Sequence, residues 1–170
     1  MHHIIGHRLR IDSQSILNYP LHRRYGPLLI STRSRYGLKI MYELAEKYGD
    51  QPVFLKDIAG AHDISEKYLS KLVIPLRGAG LISSFRGSHG GYALAREPRA
   101  ITVREIVQVL EGELSPATGA RGSSQRGPAE SHPTEGVWSL LDQTVYDTLA
   151  NVTLESLVQA GRNRTINYQI

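Results

Sequence analysis

A mainly α fold with one small β-hairpin (α+β) is predicted, and three observations predict it. Apolar residues recur at helical spacing in three short segments between Ser34 and Leu76. Three glycines within residues 85–91 separate two short β-prone runs. Two more helical faces follow Thr102, the second running four turns from Val137. At 170 residues, 41% hydrophobic and 21% charged, the chain can bury a core and suits one compact domain plus an appendage.

Each element has a local reason. Residues 34–48 bring Leu38, Met41, Tyr42, Ala45 and Tyr48 to one helical face, and Gly49 stands where a left-handed residue ends a helix. Residues 55–61 put Leu55, Ile58 and Ala59 on one side of two turns. His62-Asp63-Ile64 reads as the turn, and Ser65 as the N-cap of a third helix with Glu66 in its first turn. That helix buries Leu69, Leu72, Val73 and Leu76 and ends at Gly78 or Gly80. Pro75 inside it removes a donor and predicts a bend or tightened last turn. Strands are expected over 81–84 and 92–95, joined by a glycine-rich tip. Thr102 caps a helix whose face is Val103, Ile106, Val107 and Leu110.

Residues 112–136, rich in Gly, Ser, Pro and Ala, read as a long mobile loop. Beyond them Val137, Leu140, Leu141, Thr144, Val145, Thr148, Leu149 and Val152 form a stripe that needs a partner, and a second copy of the chain is the expected one. Thr153 then caps a last turn or two over 154–158. The expected organisation is a basic, flexible extension (1–29), a helical domain with its hairpin (30–111), the loop (112–136), a dimerisation region (137–160) and a tail (161–170).

Composition excludes several chemistries. There is no cysteine, so disulfides, thiolate zinc sites, a cysteine nucleophile and all-cysteine iron–sulfur clusters are out. No apolar run approaches the roughly 18–20 residues of a membrane helix, and the basic N-terminus has no signal-peptide h-region. A cytoplasmic protein with no membrane partner is expected. No P-loop, nucleophile elbow or convergent carboxylate–histidine set occurs, so an enzyme is not expected. The seven histidines are scattered, and only His132, beside Glu130 and Glu135, is a weak metal candidate.

Three short helices followed by a glycine-tipped hairpin is the order of a winged helix-turn-helix. The third helix presents Ser65, Lys67, Tyr68, Ser70 and Lys71 outward, hydroxyls and long cations suited to base edges and phosphates of duplex DNA. Between His62 and Arg99 lie six cations and three acids, a local +3 that supplies most of the chain's +4. At the hairpin, Arg86 can enter a minor groove while Gly87 and Gly90 let the backbone approach phosphates.

Five blocks carry a family resemblance: Ile30-Ser31-Thr32-Arg33-Ser34-Arg35-Tyr36-Gly37-Leu38, Ile64-Ser65-Glu66-Lys67-Tyr68-Leu69, Pro75-Leu76-Arg77-Gly78-Ala79-Gly80-Leu81-Ile82, Arg86-Gly87-Ser88-His89-Gly90-Gly91-Tyr92-Ala93-Leu94 and Ile101-Thr102-Val103. Over about residues 30–160 the chain resembles the Rrf-type winged helix-turn-helix transcription regulators, the family of IscR, NsrR and CymR. The resemblance implies a homodimer on a palindromic operator, a wing in the minor groove and a long helix crossing to the partner. It implies that Ser31, Arg33 and Tyr36 meet the DNA backbone and that the wing site runs from Arg86 through Ser88, His89 and Gly90. It also makes Pro75 expected. Two departures stand out. Ser88-His89 replaces a glycine-rich tip, and Ser70 occupies a position often held by a specificity-setting glutamate, so the operator does not carry over. Many members hold an iron–sulfur cluster through three cysteines before the dimer helix. None exists here, so no cofactor is expected and the chain reads as a cluster-free member. The dimer face is expected to use Val137, Leu140, Leu141, Val145, Leu149 and Val152. The alternatives are an interaction module that docks a metabolic enzyme and a sensor of a small effector or metal through the 112–136 loop.

Overall fold

A computed structural model of the chain describes residues 31–87, 90–112 and 135–167. The expected 1–29 extension, nearly all of the 112–136 loop with His132, the tip residues Ser88 and His89, and the end of the tail lie outside them.

Helix α1 (Thr32–Glu46) starts at Ser31, whose hydroxyl accepts the Arg33 amide at 3.1 Å. It buries Ile40, Met41, Leu44 and Ala45. Tyr48, expected on that face, is 47% exposed, because α1 ends at Glu46 and the helical period no longer carries Tyr48 inward. Helix α2 (Leu55–His62) buries Leu55, Ile58 and Ala59. The turn after it runs through Asp63 in the left-handed region (φ 52°), and the Ile64 amide donates to the Ala59 carbonyl at 3.0 Å. His62 Nε2 meets Glu43 Oε1 at 2.7 Å, which ties the end of α2 to α1.

Helix α3 (Glu66–Gly78) continues through Pro75 and closes on Gly80. The Leu81 amide reaches the Leu76 carbonyl and the Gly80 amide the Arg77 carbonyl, each at 3.0 Å, with Leu76 and Leu81 both fully buried. That pattern is a left-handed glycine cap with its hydrophobic contact. Because Leu81 is used in this closure, the hairpin begins one residue later than expected. Strand β1 (Ile82–Phe85) pairs antiparallel with β2 (Gly91–Leu94), Ile82 opposite Leu94 and Phe85 opposite Gly91. A 3-10 turn (Pro98–Ala100) leads to α4 (Val103–Glu111), capped by Thr102 Oγ1, which accepts the Glu105 amide at 3.2 Å.

Helix α5 (Glu135–Ala150) and α6 (Leu154–Asn167) complete the described chain. Thr153 and Ser156 cap α6 reciprocally: the Ser156 amide donates to Thr153 Oγ1 at 3.2 Å and the Thr153 amide to Ser156 Oγ at 3.1 Å. Helix α6 is longer than the turn or two expected and is not an appendage. Leu154 and Val158 are buried in one cluster with Ile40, Met41, Ile101 and Ile106. The Val103 amide donates to the Val152 carbonyl at 2.8 Å and the Leu154 amide to the Ile101 carbonyl at 3.0 Å, clamping the start of α6 beside α4. Val152, expected in the dimer stripe, instead lies beyond the end of α5. It is buried against Val103 and Val107, where this pairing holds it.

Leu154→Ala is therefore expected to cost about 2–5 kcal/mol, the usual range for emptying a fully buried leucine site. Ile74→Ala, on a side chain that is 62% exposed, is expected to stay within about 0.5 kcal/mol. Urea unfolding of both variants checks the pair, and equal midpoints would contradict the packing of α6.

Candidate nucleic-acid interface

The third helix has two chemically distinct faces. Leu69, Leu72, Val73 and Leu76 are buried, which turns Ser65, Lys67, Ser70 and Lys71 to solvent. Among the described residues no carboxylate lies within ion-pair distance of Lys67 or Lys71. The expected cap at Ser65 is not made by its side chain: the Ser65 carbonyl accepts the Tyr68 amide at 2.9 Å, while the hydroxyl makes no capping bond. Ser70 Oγ donates to the Glu66 carbonyl at 2.8 Å, so this hydroxyl is committed to its own helix.

Tyr68 does not belong to the outward set as expected. It is half-buried against the core and meets Tyr36 edge-to-face, ring centroids 5.8 Å apart. This contact joins α1 to α3, and Lys39 Nζ lies 5.7 Å from the Tyr36 centroid. Both rings thus hold α3 against α1, while Arg33 stays exposed at the start of α1.

Ser31 is drawn into a second link. Its hydroxyl and that of Ser34, the latter at 2.5 Å, donate to Glu111 Oε1 at the end of α4. Ser34 is buried, and the period of the sequence carried no sign of this pairing, since the two segments lie 77 residues apart. Burial raises the Glu111 carboxyl, but the Ser31 and Ser34 hydroxyls and amides outweigh it and hold the group below its ordinary range.

The wing is anchored at its base. Val53 and Tyr92 exchange backbone hydrogen bonds of 2.8 and 2.9 Å, adding a one-residue third strand to the hairpin. Gly91 has φ +133°, and a Cβ there would sit 2.7 Å from the Val53 carbonyl oxygen, so glycine is required. Arg86 and Gly87 are exposed toward the tip. Gly90, expected to let the backbone approach phosphates, is buried inside the turn, its amide donating to the Gly87 carbonyl at 3.0 Å. Its part is to close the turn.

Of the six cations counted between His62 and Arg99, Arg96 pairs with Glu105 and Arg99 with Glu97, both at 2.5 Å. The cations left without such partners among the described residues are Lys67, Lys71, Arg77 and Arg86, all on α3 or the wing. A crevice of about 410 Å³ separates these two elements, lined by Phe54, Lys56, Glu66, Arg77, Phe85 and Arg86 among others. Phe54 and Lys56 were not legible as site residues, because their place beside the wing depends on the Val53–Tyr92 pairing.

Helix α5 exposes Val137 (62%), Leu140 (68%) and Leu141 (38%), while Val145 and Leu149 are half-buried. Arg104 of α4 stacks on Tyr146, 4.7 Å from ring centroid, and holds α5 against the domain. No helix among the described residues is long and apolar enough to cross a membrane.

A solvent-facing cationic helix set by a turn against two others, with a hairpin beside it, is a winged helix-turn-helix, a fold that DNA-binding regulators use. The family described as "Rrf2: Iron-dependent Transcriptional regulator" matches residues 30–160, and the chain belongs to that family. The HTH-type transcriptional regulator CymR of Bacillus subtilis is 46% identical over 128 residues, 75% of this chain and 88% of that protein. IscR of Cereibacter sphaeroides is 34% identical over 135 residues, 76% and 86% of the two chains. The solved structure of B. subtilis CymR, the global cysteine regulator of that organism, superposes with a TM-score of 0.68 at 44% identity, covering 78% of this chain and 98% of that one.

Because the folded-state pKa of Glu111 is depressed, its contribution to stability is full above the ordinary carboxylate range and is lost as pH falls through the lowered value. Glu111→Gln is expected to remove that acid-side component. Urea midpoints of the variant should fall less steeply than wild type below about pH 4.5, and parallel profiles would contradict the assignment.

Proposed function

We propose that the chain works as a homodimer on a palindromic operator, with α3 in the major groove, the wing in the minor groove and no iron–sulfur cluster. The observation that carries this reading is the Lys67–Lys71 face of α3, which has no ion-pair partner among the described residues, is backed by a buried apolar face and is flanked by Arg86. Cations without protein carboxylates are available to phosphates, and each phosphate neutralised releases counterions. Arg33, exposed at the start of α1, is a further cation available to phosphates. Repression by occlusion of the operator is the simplest mode for such a module.

The uncovered stripe Val137, Leu140 and Leu141 supports self-association through α5, since apolar side chains at this spacing on one helix face pair well with a second copy. The stripe is shorter than the sequence suggests, because Val152 is used inside the chain. Two α3 helices related by a two-fold axis would match inverted half-sites about one helical turn apart.

The family description names iron, and many members hold a cluster on cysteine thiolates. This chain has none in its whole sequence, and the hard hydroxyls and imidazoles present do not fit a three-thiolate cluster. Among the described residues no group of three His, Asp or Glu side chains could hold a metal ion. Because B. subtilis CymR is a global cysteine regulator, genes of cysteine metabolism are the first candidate targets.

Lys67→Ala/Lys71→Ala is expected to weaken binding to an operator duplex by about tenfold or more and to flatten its salt dependence. Fluorescence anisotropy over a salt series checks this, and unchanged affinity would refute the assignment of α3. Val137→Asp/Leu140→Asp is expected to yield a folded monomer by analytical ultracentrifugation, because both side chains are exposed within one chain. A dimer that survives the change would move the interface elsewhere.

A further inference from the structure

We propose that the crevice between α3 and the wing is a built phosphate site, in which Lys56 and Arg77 grip the DNA backbone where it crosses from the major to the minor groove. The inference rests on the functional reading above and adds two residues and a role to it.

If one element reads the major groove and its neighbour the minor groove, the strand that separates the two grooves must run between those elements. In this molecule the space between them is the crevice of about 410 Å³ whose walls come from α3, the hairpin and the start of α2. The Val53–Tyr92 hydrogen bonds fasten the start of α2 to the hairpin, so Phe54 and Lys56 form part of that wall rather than of a separate surface.

The chemistry agrees. Three cations, Lys56, Arg77 and Arg86, line the crevice against one carboxylate, Glu66. None of the three has an ion-pair partner among the described residues, although Arg96 and Arg99 nearby in sequence are both paired. Lys56 Nζ lies 5.2 Å from the Phe54 ring centroid, a contact that orients the ammonium without neutralising it. Phe54 and Phe85 line the same crevice while 38% and 50% exposed. Such apolar surfaces suit deoxyribose and reduce the water around a bound phosphate. Exposed aromatic rings beside cations that lack carboxylate partners suit a ligand that is both anionic and partly apolar, and a nucleic-acid backbone is one.

A backbone grip has a signature that base reading lacks: it weakens binding equally for all sequences and removes counterion release. Lys56→Ala/Arg77→Ala is expected to reduce the slope of log affinity against log salt by about two. Affinity should fall about equally on an operator duplex and on an unrelated duplex, leaving their ratio within about twofold. Glu66→Gln, which removes the one carboxylate in the crevice, should tighten binding to both duplexes. Lys47→Ala, just past the end of α1 remote from Arg33, serves as a control for the loss of one positive charge and should leave the slope unchanged. Thermal unfolding of each variant accompanies the titrations, and these exposed sites should not shift it.

Wild-type protein that binds duplex DNA while the double variant keeps its slope and affinity would overturn the crevice assignment alone. A double variant that changes the operator-to-unrelated ratio would overturn it too, since base reading would then be involved. Wild-type protein that binds no duplex at low salt would overturn the functional reading and this inference together.

Discussion

The inward face of α3 is the constraint on which the rest depends. Leu69 and Leu76 are fully buried and Leu72 and Val73 nearly so, in a core shared with α1, α2, α4 and α6. Because residues on a helix occupy fixed angular positions, burying these four determines where Lys67 and Lys71 point. The edge-to-face contact of Tyr36 and Tyr68 and the glycine cap at Gly80 then limit how far the helix can rotate or slide. The cationic surface is therefore a consequence of apolar packing on the opposite side.

The hairpin is held to that same frame by a very small contact. One residue of extended chain, Val53, joins β2 through two backbone hydrogen bonds, and Gly91 is the residue type that permits so close an approach. The result brings the start of α2, the outward side of α3 and the base of the wing around one crevice. A second frame element acts at the other end of α1, where Ser31 and Ser34 hold Glu111. Glu111 is the last residue of α4, so the link joins the start of the first helix to the end of α4.

Much of this was legible in the sequence, for physical reasons that differ by element. The α1, α2, α3 and α4 faces follow helical periodicity, and Thr102 and Gly80 act as the caps their residue types suggest. What escaped was set by contacts distant along the chain. Tyr68 read as an outward side chain because its packing on Tyr36 crosses from α1 to α3. Val152 read as part of an exposed stripe because nothing local shows that Val103 and Val107 cover it. The length of α6 escaped because its apolar positions beyond Val158 are sparse, and its burial comes from α1 and the 3-10 turn. Gly90 read as an open backbone position, although its role is to close the turn.

Membership of the Rrf2 family settles the broad class, and this sequence carries no cysteine. Paired reading elements acting together on DNA are tested most directly by selecting bound duplexes from a random library with the full-length chain. The expected result is enrichment of an inverted repeat whose half-sites lie about one helical turn apart. Recovery of a lone half-site, or of no sequence above the starting pool, would contradict it.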